Sequence, residues 1–212
     1  MLPFFNNKFL SVILICLSLL VVYFLIHQNF FSNSPTSSID VKNTLSQSDV
    51  LSIENCGDSL GSFNDVTAYY NAGGINSCGN RHWSSDSSYY YGFKWQCVEY
   101  IRRYYYDYLN HIMPERWGNA SDYFRANIPS GSMNIERDLV QYHNGDIRPQ
   151  VNDLLVFQHM AGGLGHVSIV TNVSDSTVST IEQNIGRGCA NVLSLDGNQI
   201  GGGCSGLLRI AN

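Results

Sequence analysis

From Leu10 to Ile26 every position is apolar or small, and no polar stripe interrupts the run. As a helix rising about 1.5 Å per residue it reaches roughly 26 Å, close to the hydrocarbon thickness of a bilayer. A core helix of a soluble domain would show a polar face, and this run shows none. Lys8 precedes it and no Lys or Arg follows until Lys42. The excess of positive charge on that side puts the N-terminus in the cytoplasm and the rest outside. No small-x-small cleavage pattern follows, so residues 1–31 are expected to be an uncleaved signal anchor, with a signal peptide as the alternative. Residues 32–52 are rich in Ser, Thr and Asn and read as a flexible tether. The folded domain is expected over 53–212.

Within that domain the pattern changes twice. Residues 53–91 carry scattered Gly, Asn and Ser, which argues against long helices. From Gln96, in CVEYIRRYYYDYLNHI, residues Cys97, Tyr100, Ile101, Tyr104, Tyr105, Tyr108 and Ile112 recur at helical spacing, predicting a helix packed on a core. A second short helix is expected within 119–127, started by Asn119 or Ser121. After Asn144-Gly145, DLLVFQ (153–158), HVSIVT (166–171), TVSTIEQ (177–183) and LLRIA (207–211) read as short strands. GGLG (162–165) and NVSDS (172–176) are expected hairpin connections. A helix followed by a run of strands is an α+β pattern rather than alternating βαβ.

Composition sharpens this picture. Charged residues are only 14% of the chain and the formal charge is -5; it moves to -6 once the leader's single Lys is set aside. An acidic domain excludes nucleic acid as the main partner, because phosphate contacts need a basic surface. The aromatic content, with 13 Tyr and 10 Phe, excludes disorder throughout. Four of the six cysteines, Cys56, Cys78, Cys189 and Cys204, allow three pairings. The local ones, Cys56–Cys78 and Cys189–Cys204, are the expectation, with four free thiols as the alternative.

Cys97 stands where the aromatic helix begins. Unpaired backbone N–H groups and the positive end of the helix dipole there favour a thiolate and can receive an oxyanion. His166 opens a strand, from which an imidazole can take the thiol proton and return it to a leaving amine. If the 171–177 turn makes an antiparallel hairpin, Glu182 lies beside His166 and orients it, and Asn184 on the same face assists. The plainer reading has Cys97 as buried structure and His166 as a surface residue. The other histidines, His82, His111, His143 and His159, are expected at the surface, with His159 the next candidate base.

Together, YGFKWQCVEYIRRYYY, NDLLVFQ, GHVSIV and IEQN resemble the CHAP family of cysteine, histidine-dependent amidohydrolases/peptidases. The KWQCVEY-RR segment is similar to the amidase domain of the glutathionylspermidine synthetase/amidase group. The resemblance implies a papain-like fold, Cys97 as nucleophile, His166 as base and Glu182 as orienting acid, with Asn184 and Gln96 as further site residues. No cofactor is implied. Some members bind calcium through acids flanking the Cys; here only Glu99 and Asp86 are near, so no metal is expected. A synthetase domain is not expected, for want of length and of a phosphate-binding loop. The aromatic run Tyr89, Tyr90, Tyr91, Phe93 and Trp95 is expected in the core, with a platform for the substrate's acyl side as the alternative, and Arg102 and Arg103 are expected to be solvated or paired. The expected partners are an amide-containing peptide, either cell-wall peptide or a glutathionyl-polyamine, and the membrane through residues 10–26. The outward topology favours wall peptide, and a catalytically silent binding module on the same fold is the rival.

Overall fold

The computed structural model describes residues 53–73 and 78–211. The expected anchor at 1–31 and tether at 32–52 lie outside the described residues, among which no helix is long and apolar enough to cross a membrane.

Two small antiparallel hairpins precede the helix: β1 (Ser59–Phe63) with β2 (Val66–Tyr69), and β3 (Arg81–Trp83) with β4 (Tyr90–Phe93). The turn-rich reading of this third is therefore met by strands too short to leave a periodic signal. Cys56 and Cys78 are joined by a disulfide with Cα atoms 5.8 Å apart and 22 residues of separation. A loop of that length contributes roughly 3 kcal/mol by restricting the unfolded chain.

Helix α1 spans Cys97–Asp107. Tyr100, Ile101, Tyr104 and Tyr105 are fully buried, and burial of an aliphatic side chain such as Ile101 contributes about 1.5–3 kcal/mol. The helix stops before the apolar spacing does. Asn110 takes a left-handed φ of 52° and the His111 N–H turns back to the Tyr105 carbonyl at 2.9 Å. Tyr108 and Ile112, expected in the buried stripe, are therefore exposed. The expected second helix shrinks to a 3-10 turn, Ala120–Tyr123, closed by a capping box between Asn119 and Asp122.

The remaining strands form one eight-stranded antiparallel sheet. They are β5 (Ser132–Asn134), β6 (Leu139–His143), β7 (Leu154–Phe157), β8 (His166–Val173), β9 (Thr177–Ile181), β10 (Ala190–Asp196), β11 (Gln199–Ile200) and β12 (Gly206–Arg209). Their order is β11-β10-β9-β8-β7-β12-β6-β5. Alternation along the strands divides two apolar layers. Leu154, Val156, Val167, Ile169, Ile181 and Leu208 meet the helix and the first hairpin, whereas Leu155, Phe157, Val170, Val178 and Leu207 form a smaller layer on the other side. This is the expected α+β class, one helix on a large antiparallel sheet in a papain-like arrangement. β5, β6, β10 and β11 were not foreseen; β10 exposes most of its length and so lacks an apolar alternation.

The two layers also correct the second disulfide. Cys189 belongs to the helix-side layer, where its Sγ meets the Leu60 carbonyl at 3.2 Å. Cys204 belongs to the opposite layer. Both are free and buried, and the sheet between them prevents a bond.

Candidate active site

Cys97 is the first residue of α1, after an N-terminal cap residue, Gln96, in extended conformation. No side chain caps this helix start, so its first backbone N–H groups are left to other acceptors. The Gln96 carbonyl instead begins the helical ladder, accepting the Tyr100 N–H at 3.2 Å.

His166 is the first residue of β8, opposite Phe157 of β7. Its position depends on the loop before it. Gly165 is buried at φ +78°, and a Cβ there would run into the Ser121 backbone. The Ser121 N–H meanwhile donates to the Leu164 carbonyl at 2.9 Å. Only glycine permits this approach, and it seats the loop on the 3-10 turn just before the imidazole.

Glu182 follows β9, and its Oε2 lies 2.6 Å from His166 Nε2. The antiparallel pairing of β8 with β9 brings it there. With Nε2 engaged there, Nδ1 is the nitrogen left for the hydrogen bond to Cys97. All three side chains are buried. Burial alone pushes an imidazolium to lower pKa, but hydrogen bonds to Cys97 and Glu182, together with their charges, outweigh it and raise His166 to about 10. Glu182 Oε1 is buried with no partner among the described residues.

Asn184 adopts a left-handed φ of 68°, a conformation that Asn tolerates well. Its Nδ2 donates to Gln96 Oε1 at 3.3 Å. Gln96 Nε2 is buried and has no partner among the described residues. The structure therefore brings Gln96, Cys97, His166, Glu182 and Asn184 together. It leaves out His159, which is exposed on the loop after β7.

Several neighbours differ from expectation. His82 is not a free surface residue: its Nδ1 lies 2.8 Å from Glu99 Oε1. His111 and His143 likewise engage the carbonyls of Arg137 and Ile128. Arg103 is paired as expected, with Glu99 at 2.7 Å, but it is buried. Arg102 is buried too, donating to the Tyr91 and Trp117 carbonyls. Glu99 is fully buried. Burial pushes its carboxyl up, yet Arg103, His82 and Gln183 together hold it below the usual range. Tyr89, Tyr90 and Tyr91 are in the core as expected, while Phe93 is exposed.

Cys97, His166, Gln96 and Asn184 open onto a cavity of about 370 Å³. Its walls include Phe93, Arg102, Arg116, Trp117, Asn119 and Leu164, and no Asp or Glu among the described residues. Arg116, Trp117 and Leu164 were missed because they lie in loops whose pattern does not say which way they face. Gln183 was missed although it stands between two candidate residues.

A helix-start cysteine beside a strand imidazole held by a carboxylate defines the thiol-hydrolase class. Residues 88–184 match the CHAP domain, a cysteine-hydrolase fold. Trypanothione synthetase from Crithidia fasciculata is 29% identical over 105 residues, 48% of this chain. The matched part spans only 16% of that protein's length.

Proposed function

We propose that this chain hydrolyses an amide through a thioester on Cys97. The carrying observation is the contiguous set Cys97, His166 and Glu182, with Cys97 and His166 in the wall of an accessible cavity and Glu182 behind the imidazole. The Cys97 thiolate adds to the carbonyl carbon, and the oxyanion is met by the helix-start N–H groups and Gln96 Nε2. The tetrahedral intermediate collapses, the C–N bond breaks, and the His166 imidazolium gives its proton to the leaving amine. Neutral His166 then takes a proton from water as hydroxide adds to the thioester, and collapse releases the acid and the thiolate. Glu182 keeps the imidazole oriented through both steps.

The substrate favoured by the similarity to trypanothione synthetase is a small glutathionyl–amine amide of the glutathionylspermidine type. Arg116 in the cavity wall, with no carboxylate among the lining residues, suits an acyl portion that carries its own carboxylate. A second reading, an exported and membrane-anchored enzyme acting on peptidoglycan peptides, draws on the disulfide Cys56–Cys78, a bond typical of oxidising compartments. The apolar run at 10–26 supports the same reading.

The test is release of new amino groups from glutathionylspermidine and from purified cell wall by wild type and Cys97→Ala. Release from the first alone supports the small-amide reading, and release from the wall supports the second. Activity that survives Cys97→Ala sinks the mechanism, and no release from either substrate favours a silent binding module.

A further inference from the structure

Gln183 is fully buried between Glu182 and Asn184, and its side chain joins two other segments, the start of α1 and β2. Its Nε2 donates to the Gln96 carbonyl at 2.9 Å and to Glu99 Oε2 at 2.7 Å. Its Oε1 accepts the Tyr69 N–H, at the end of β2, at 2.8 Å. The orientation is fixed by chemistry: a flipped amide would set oxygen against the Gln96 carbonyl and the Glu99 carboxylate, and N–H against N–H. The Glu99 carboxylate is itself held by Arg103 and His82. One amide thus ties the residue before the nucleophile to the turn that carries Glu182 and Asn184, and both to a buried ion network.

We infer that Gln183 is a positioning residue that holds Gln96 in register with Cys97, so that Gln96 Nε2 meets the oxyanion. This rests on the thiol-hydrolase reading above. Its consequence is selective, because attack on a carbonyl develops an oxyanion and alkylation of the same sulfur does not.

Two probes that need no knowledge of the natural substrate separate these demands. p-Nitrophenyl acetate acylates the Cys97 thiolate through a tetrahedral intermediate that expels p-nitrophenolate, whereas iodoacetamide alkylates it with loss of iodide. In Gln183→Met the acylation rate is expected to fall at least ten-fold with alkylation within two-fold of wild type. Gln96→Ala should show the same split, and the double variant no further loss. Gln183→Asn, one methylene short of the Gln96 carbonyl, should fall between and serves if the Met variant does not fold. Rates are taken per folded protein, with the folded fraction read from a parallel urea titration, so misfolded protein does not count. Parallel loss of both rates, or loss of neither, overturns the inference while leaving the thiol mechanism intact. A wild-type Cys97 that accepts neither probe overturns both.

Discussion

Two buried glutamates flank the start of α1 and are used in opposite ways. Glu99 is saturated, taking hydrogen bonds from Arg103, His82 and Gln183. Glu182 has His166 on one oxygen and nothing among the described residues on the other. A saturated buried carboxylate fixes structure, because removing it strands every donor aimed at it. A carboxylate with a single imidazole partner is tuned to that partner's protonation state, which changes during the proposed reaction.

The contrast can be broken in several ways. Glu182→Ala is expected to lower amide hydrolysis by about 10²–10⁴-fold, measured as amine release per folded protein, with a smaller loss of stability than at Glu99. Glu99→Ala should lower the unfolding free energy by about 3–5 kcal/mol, because it leaves buried Arg103 uncompensated; urea titration measures this. If the two substitutions move the same quantity, the division of labour is wrong.

The pH dependence separates the two sites further. Glu99 has a depressed folded pKa, so its contribution is complete above about 4.3, the unfolded value, and is lost as pH falls through the folded value. His166 has a raised pKa of about 10, so its contribution is complete below about 6.5 and is lost as pH rises through that folded value. Unfolding titrations from pH 3 to 10 should show both limbs; Glu99→Gln removes only the acid one and His166→Gln only the alkaline one.

The smallest effect concerns the other thiols. Burial pushes Cys189 up to about 11 and Cys204 up to about 12. Iodoacetamide on native protein at pH 7 should modify Cys97 at least ten-fold faster than either, as read by peptide mass mapping. Equal labelling would remove the distinction between a placed thiol and two packed ones.

The two glutamates also show how far the sequence could be read. Glu182 was legible because a hairpin turn and period-2 geometry put it beside a strand-opening His. Glu99 was weighed only as a possible calcium ligand. Its partners His82 and Gln183 lie 17 and 84 residues away, a distance no local pattern spans. Tyr100 and Tyr104 were placed in the core by helical spacing, and Tyr108 was misplaced because the spacing outlasts the helix. The pairing of Cys189 with Cys204 failed for a related reason: nearness in sequence does not reveal that a sheet separates the two side chains.

One feature of that sheet bears on how the molecule is made. β12 is the last strand in sequence among the described residues, yet it lies in the interior, bonded to β7 on one side and β6 on the other. Until it emerges from the ribosome, the β5–β6 pair and the β7–β11 set have no shared edge and each presents an open row of peptide groups. The sheet therefore closes only after synthesis has passed Arg209, and the nascent domain must keep two unpaired edges apart until then.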